Sequence, residues 1–329
     1  MMVKTRPRIL LPRSMAQLLN PVVEIECRLD AAGAPSFRRR EGARFDLHCH
    51  STFSDERLRF LPGLVYHPLL EPEQVYDLAK RRGMDFVTLT DHDTIDGCKA
   101  LIDRRGPLAD FVFGEEVSVT FPEDGTIIHV NVFEIDEAQH AEMQRLRGNL
   151  YDLVHYVRSI DRLYVINHLT WTAQRRVLRT WQIEKLLELF DVFEGINGTR
   201  SYAHNAFAWS ATEGRAKTLV AGSDSHSNRV GTTYTLTRGA DVHEAIRSIR
   251  AGEAAPCGAF GTPEKLAEDV WLVLHQEIER RLAAAGSSWE RLTCRGVRLL
   301  GRLAYPLVCQ GYHRRQNVLI NDFLRALPA

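Results

Sequence analysis

Asp46-Leu47-His48-Cys49-His50-Ser51-Thr52-Phe53-Ser54-Asp55 is the stretch on which the reading of this chain turns. Arg44-Phe45-Asp46-Leu47 leads into it as a strand, and the two-residue side-chain period of a strand puts His48 and His50 on one face, where both imidazoles reach one ion. Cys49 then points the other way, as a packed core thiol. Three later stretches answer the first: Thr90-Asp91-His92-Asp93-Thr94, Asn167-His168 and Gly222-Ser223-Asp224-Ser225-His226. Each is a short polar knot behind an apolar, strand-like run. Neutral imidazole is the commonest protein ligand for a transition metal. A single histidine pair in a strand says little, but four His/Asp knots behind four such runs are not expected of an ordinary surface.

Outward from these knots, strand-like runs fall at 45–48, 86–90, 111–113, 127–132, 163–166, 192–196 and 218–221. Between them the clearest helix is Pro72 to Arg82, with Pro at its start, Val75, Leu78 and Ala79 on one face and Gly83 as its stop. Further helices are expected near 136–160, 181–190, 202–213 and 241–251. Strands alternating with helices at this spacing predict a parallel sheet, and knots at the carboxyl ends of strands predict an α/β barrel with its site on that rim. Past Thr262 the texture changes. Leu266, Val270, Leu274, Ile278 and Leu282 recur every four residues as one stripe of a long helix, which Gly286-Ser287-Ser288 stops. A second helix is expected to about Tyr305, a break at Pro306, and a last helix to Leu327. The domain reading is therefore a leader at 1–44, a barrel at 45–262 and a helical extension at 263–329.

At 329 residues the chain has room for a barrel of roughly 250 residues plus an appendage. Lys plus Arg and Asp plus Glu balance at 42 each, so no net field draws the protein to nucleic acid, and a long polynucleotide is a disfavoured partner. The six cysteines, at 27, 49, 98, 257, 294 and 309, form no Cys-x-x-Cys pair. That argues against a zinc knuckle and a disulfide framework, and predicts a reducing cytoplasm. No apolar run reaches the length of a membrane span. Arg295, Arg298, Arg302, Arg314 and Arg315 in the extension read as the solvated basic face of a helical cap, with contact to a membrane surface or a phosphate polymer as the alternative.

The candidate ligands are His48, His50, Asp55, His92, Glu116, His129, His168, Asp224 and His226. All offer nitrogen or oxygen, which suits Mn, Fe or Zn, and the set is too large for one metal. Here the sequence resembles the polymerase and histidinol phosphatase (PHP) domain family of metal-dependent phosphoesterases. The resemblance covers about residues 45–260 and rests on His48-x-His50-Ser-Thr-x-Ser-Asp55, Thr90-Asp91-His92-Asp93, Gly114-x-Glu116-Val117-Ser118, His129, Asn167-His168 and Gly222-Ser-Asp224-Ser-His226. It implies a distorted seven-stranded α/β barrel with two or three divalent ions. It further implies that His48, His50, Glu116 and Asp224 hold one ion, that Glu116 bridges to a second held by His129 and His168, and that Asp55, His92 and His226 hold a third. The family pattern selects Glu116 over Glu115, and strand alternation turns Glu115 away. Asp91 and Asp93 are expected to orient imidazoles. One departure is Glu56, where a Gly commonly follows the aspartate of the first motif. Another is the enlarged loop at 56–71, which is expected on the active rim.

Three divalent ions against three carboxylates leave a site about three units positive, an anion trap suited to phosphate esters. The catalytic set is then Asp55, His92, Glu116, Asp224 and His226, with Arg200 and Arg229 as phosphate-binding candidates on the rim. His204 and His67 are further candidates for leaving-group donors. No Gly-x-Ser-x-Gly elbow and no Gly-x-x-x-x-Gly-Lys loop occurs, so covalent serine catalysis and loop-type triphosphate hydrolysis have no support. The expected substrate is a small phosphorylated molecule or short nucleotide. The alternatives are an exonuclease acting on RNA or DNA ends, and a non-catalytic metal-binding module that docks a partner through its helical tail.

Overall fold

A computed structural model describes residues 42–54, 56–57, 65–174 and 177–326. Residues 1–41 of the leader, Asp55 and the middle of the 56–71 loop lie outside the described residues, and so do the expectations made for them.

Local sequence sets the element boundaries. Three short strands come first: β1 (Ala43–Phe45), β2 (Glu56–Arg57) and β3 (Val65–Tyr66). Helix α1 (Pro72–Arg81) starts with Pro72 in its first turn and with Gln74 Oε1 accepting from the Glu71 N–H at 2.9 Å; beyond it Gly83 takes φ +77°. There follow β4 (Val87–Leu89), α2 (Asp96–Arg105), β5 (Phe111–Thr120) and β6 (Ile127–Phe133). The helix expected over 136–160 is two, α3 (Glu137–Leu146) and α4 (Leu150–Ser159). The chain breaks at Gly148, and Asn149 restarts it by accepting from the Tyr151 N–H at 2.9 Å. The chain then runs through β7 (Tyr164–Ile166), α5 (Thr180–Leu189), β8 (Val192–Asn197), α6 (Tyr202–Thr212) and β9 (Thr218–Gly222). It closes with β10 (Thr233–Thr237), α7 (Val242–Arg250) and β11 (Ala254–Gly258). Two helices end the chain, α8 (Pro263–Ala284) and α9 (Ser288–Ala326).

Six strands form one curled sheet in the order β4-β5-β6-β7-β8-β9. The parallel sheet expected from the sequence holds for β4/β5, β7/β8 and β8/β9, but β6 is antiparallel to both its neighbours. The connection between β5 and β6 is only 121–126, too short for the dozen or so residues of a crossover, so it makes a hairpin. Between β6 and β7 lie two helices instead of one, which returns the chain to the end of the sheet it left. Residues 46–50 bridge the two edges of this sheet. Cys49 pairs with Ser225 beyond β9, the His50 N–H donates to Ser225 O at 3.1 Å, and the Thr90 N–H donates to Cys49 O at 2.9 Å. A separate antiparallel sheet, β1-β10-β11, continues the first strand on the other side.

Inside, Phe45, Phe121, Phe133, Phe190 and Phe193 are fully buried, each contributing about 1.5–3 kcal/mol by leaving water. The extension packs back on this body. Thr262 Oγ1 caps α8 by accepting from the Lys265 N–H, and Ile320 of α9 joins the largest core cluster. Within α8 the fully buried apolar positions are Ala267, Val273 and Ile278, so of the expected stripe only Ile278 is fully covered. Pro306 does not break the chain as expected: α9 runs through it. Proline costs a helix interior about 3 kcal/mol, and here packing on both sides, at Gly301 against Trp271 and at Cys309 and Ile320, carries the helix past it.

Candidate metal centre

The four knots and two strand interiors converge. His48 and His50 come from the bridging segment, His92 from the loop after β4, His168 from the loop after β7, and Asp224 and His226 from the loop after β9. Glu116 and His129 lie instead within β5 and β6, because this hairpin continues beyond the end at which the other strands stop. The close approach of β9 to the first knot requires a glycine. A Cβ on Gly222 would lie 2.2 Å from His48 Cβ and 2.7 Å from its backbone N. His168 and Asp224 adopt left-handed backbone, with φ +26° and +49°. Such conformations cost of order 1–3 kcal/mol each, and here hydrogen bonds hold them: the Asp224 N–H donates to His48 O at 2.6 Å, and the His168 N–H to Glu194 Oε2 at 2.8 Å.

Glu116 is the hub. Its Oε2 lies 3.1 Å from His48 Nε2, 3.3 Å from His50 Nε2 and 3.2 Å from His92 Nδ1. Its Oε1 lies 3.1 Å from His129 Nδ1 and 3.3 Å from His168 Nε2. One carboxylate thus faces two groups of imidazoles with different oxygens. Asp224 Oδ1 sits 3.6 Å from His48 Nε2, 3.4 Å from His50 Nε2 and 3.7 Å from His226 Nδ1. Four groups of three residues bring one ligand atom each within 4.8 Å: His48/His50/Asp224, His48/Glu116/His168, His92/Glu116/His129 and His50/His92/His226. In the last group His50 joins the pair that the resemblance gave to a third ion.

Burial by itself raises a carboxyl pKa, yet Glu116 is held well below its ordinary value because the charges of His48 and His92 and the polar contact with His129 outweigh desolvation. Asp224 is likewise pushed well down, against desolvation, by His48, His50 and Arg200. For His129 burial dominates and lowers its pKa to about 4, which keeps the imidazole neutral at neutral pH, the form able to ligate a metal. Among the described residues His48 Nε2, His50 Nε2, His129 Nδ1 and Glu116 Oε2 are buried without a hydrogen-bond partner. Four such orphaned atoms converging on one place, with donors of nitrogen and oxygen only, fit divalent cations.

No protein-family model matches the chain, and no curated protein matches it. Among solved structures it is similar to an amidohydrolase from Chromobacterium violaceum with sulfate bound and no metal, at 20% identity and a TM-score of 0.44, covering 57% of this chain and 90% of that one. It is also similar to a protein described as a metal-dependent phosphoesterase from Bifidobacterium adolescentis, at 15% identity and a TM-score of 0.44, over 63% of this chain and 96% of that one. A third is PsfC from Pseudomonas syringae, at 14% identity and a TM-score of 0.47, over 71% and 96%.

Behind the hub stands a second layer of polar residues, some of which no sequence motif contains. Glu194 of β8 bonds His48 Nδ1 with Oε1 at 2.8 Å, while its Oε2 accepts from the His168 N–H and from Asn197 Nδ2 at 2.9 Å. It thereby turns His48 Nε2 toward Glu116. Its signal in the sequence is a lone carboxylate in Val192-Phe-Glu-Gly-Ile-Asn197, a strand otherwise apolar enough to be buried on both faces. Asn167 Nδ2 donates to Glu116 Oε1 at 2.8 Å, and Asp224 Oδ2 accepts from Asn197 Nδ2 at 3.1 Å and Thr199 Oγ1 at 2.7 Å, which leaves Oδ1 for the imidazoles. Asp46 ties the first and last knots together, accepting from the Ser223 and Gly231 N–H groups at 2.8 and 2.7 Å; burial raises its carboxyl to about 6.

The other expected residues divide. Among the described residues neither Asp91 nor Asp93 hydrogen-bonds an imidazole. Asp91 accepts from the Ser51 N–H and Oγ, both at 2.6 Å, and Asp93 accepts from the Ser118 N–H and pairs with Arg147, so both fix backbone around the site. Glu115 does face away, but it is buried under α3, where His140 Nδ1 lies 2.7 Å from its Oε2. Cys49 is a core thiol whose Sγ donates to Thr88 O at 3.2 Å. Arg200 reaches the site: Nη2 is 3.6 Å from Asp224 Oδ2, and its guanidinium lies 5.4 Å from the Trp171 ring centroid. Arg229 points instead to α8, with Nε 2.8 Å from Asp269 Oδ1 and Nη2 2.5 Å from Glu268. His204 is buried on α6 against Thr170. Asp55 lies outside the described residues. The return leg of the 56–71 loop and the residues beside it lie on the rim, with the Leu69 N–H donating to His226 O and the Thr52 N–H to Leu70 O, both at 2.9 Å.

Proposed function

We propose that this chain is a divalent-metal-dependent phosphoesterase of PHP type, acting on a small phosphorylated molecule or short nucleotide. The observation that carries the reading is Glu116, whose two oxygens face His48, His50 and His92 on one side and His129 and His168 on the other. In this reading His48, His50, Glu116 and Asp224 hold one Mn, Fe or Zn ion, Glu116 with His129 and His168 a second, and His92 and His226 with Asp55 a third. Such ions supply positive charge to phosphoryl oxygens and acidify water to near neutrality. The protein's own part is to fix those ligands and to orient the ester. Arg200 offers its guanidinium beside Asp224 to a phosphoryl oxygen, and Trp171 forms the apolar wall under it. The arm 65–71 narrows the rim beside His226 and selects what enters. Cys49, Cys98 and Cys257, free and buried, support a cytoplasmic setting.

The test is turnover of a generic phosphomonoester and a generic phosphodiester by metal-stripped protein reloaded with Mn. Hydrolysis of either ester, abolished in Asp224→Ala, is expected, and the preferred ester separates phosphatase from diesterase or nuclease. No turnover of either by protein shown to hold its metals, or full activity in Asp224→Ala, would sink the reading.

A further inference from the structure

We propose that the first half of α9, Trp289 to Leu307, is a docking face for an anionic lipid surface. Six large apolar side chains on it, Trp289, Leu292, Leu299, Leu300, Leu303 and Leu307, are between 61% and 75% exposed. Spacings of three, four and seven residues, with Leu299 and Leu300 adjacent, gather them into one stripe along the helix. A second exposed row, Arg291, Arg295, Arg298 and Arg302, runs beside it at spacings of four, three and four. The side turned to the protein is a different one: Gly301 lies under Trp271 of α8, and Cys294 is partly covered. The apolar row is therefore not a seam with the rest of the described molecule.

Charge decides the occupant. From Arg291 to Asn321 the chain has six arginines and no Asp or Glu. Arg298 is partly offset by Glu279 of α8 at 2.8 Å, and Arg291 by Glu290 beside it, but Arg295 and Arg302 have no acidic residue within one helix turn on either side. Two copies of this face packed antiparallel would set one arginine row against the other, and packed parallel would set it against Thr293, Val297 and Ala304, which offer no countercharge. A surface of lipid phosphates answers both rows at once. The leucines and the indole enter the boundary of headgroups and acyl chains, and the arginines reach back to the phosphates. The helix lies on the surface and does not cross it: no described helix is long and apolar enough to span a membrane. At 1.5 Å per residue the row covers roughly 28 Å, ample for an interfacial anchor.

The experiment is co-sedimentation of the full chain with large unilamellar vesicles of phosphatidylcholine, with and without phosphatidylserine, alongside sedimentation velocity without vesicles. Binding to the phosphatidylserine vesicles, weak on neutral ones and released by high salt, is expected. Each arginine near the surface strengthens binding about fivefold, so Arg295→Gln with Arg302→Gln should weaken it about 30-fold. Leu299→Ser with Leu303→Ser should abolish it with the far-ultraviolet circular dichroism unchanged, because both side chains face solvent. Absence of binding to either vesicle, or equal binding to both, would overturn the proposal. So would a dimer in solution that the leucine variant dissociates, which would assign the face to a second copy.

Discussion

Glu194→Gln is the sharpest perturbation the structure offers, because it changes one atom and leaves shape alone. In the native arrangement both carboxylate oxygens accept: Oε1 from His48 Nδ1 at 2.8 Å, Oε2 from the His168 N–H at 2.8 Å and Asn197 Nδ2 at 2.9 Å. Glutamine has one oxygen and one NH2 to place in these two positions. If the NH2 faces His168, the backbone N–H loses its acceptor in a buried site, at about 1–3 kcal/mol. If it faces His48, the ring must accept on Nδ1 and carry its proton on Nε2, the atom that points to Glu116 and Asp224. Either way the variant is worse. The second arrangement also removes an imidazole from the ligand set, since a protonated nitrogen binds no metal.

The expected loss of metal affinity is about 10- to 100-fold, the usual effect of removing a partner that orients a ligating histidine, or about 1.4–2.7 kcal/mol. Isothermal titration of Mn into stripped wild type and variant measures it, with denaturant unfolding of the stripped proteins as the control for folding. Affinity within twofold of wild type in a variant whose stability is also unchanged would refute the assignment of Glu194 as the group that sets the His48 tautomer. A stability loss with no affinity loss would locate the amide against His168 and leave His48 unaffected.

Gly222→Ala places a methyl 2.2 Å from His48 Cβ and 2.7 Å from its N, contacts that backbone must move to relieve, so destabilisation of at least about 1–3 kcal/mol and weaker metal binding are expected by calorimetry. An unchanged melting temperature would mean that the two segments approach less closely than described. His140→Ala removes one of the two partners of buried Glu115, leaving Gln144, and should destabilise by about 1–3 kcal/mol. The hydrogen bond to Glu115 raises the His140 pKa above its ordinary 6.5, so its contribution is fully present below that value and is lost as pH rises through the raised folded value. Urea midpoints at pH 6 and pH 9 check this, and a deficit of equal size at both would contradict it. Pro306→Ala restores a backbone donor inside α9 and should stabilise that helix by up to about 3 kcal/mol, read as slower amide exchange along residues 300–312; faster exchange would show that the proline is needed where it stands.

The elements legible in the sequence are those whose physics is local. The knot-and-strand repeat places His48, His50, His92, His168, Asp224 and His226 because a strand delivers its next residue to a predictable end and face. Helix α1 is legible from Pro72 and Gly83. Helix α2 is not, because the residues it buries include Gly97 and Cys98, which make no apolar stripe. Strand β10 escapes for the same reason: Thr233, Thr235 and Thr237 are fully buried, yet threonine does not register as apolar, and β11, Ala254-Ala-Pro-Cys-Gly258, is made of residues that rarely signal a strand. The antiparallel setting of β6 follows from the six-residue connection at 121–126, a length that overrides the parallel arrangement which helix-strand alternation alone suggests.

What sequence spacing cannot carry is the long-range pairing that makes a polar residue tolerable inside. Glu194, Asn131 and Asn197 stand outside the knots, Asp46 is bound to groups far along the chain, and each would be costly in its buried place without its partners. Asn131 links Leu47 O at 3.0 Å to Asn167 at 2.8 Å, and Asn167 passes the chain on to Glu116. Asp91 and Asp93 show the reverse case. They neighbour His92 in the chain, but in space they hold Ser51 and Ser118. Proximity in sequence makes them orienters of imidazoles, whereas hydrogen-bond geometry assigns them to the frame. A ring of imidazoles around one carboxylate is positioned by groups from other strands, so the proposed ligand set is a sequence property and its tautomers are a property of the fold. That division is why changing Glu194, which no motif contains, is expected to disturb the centre as much as changing a residue that the motifs name.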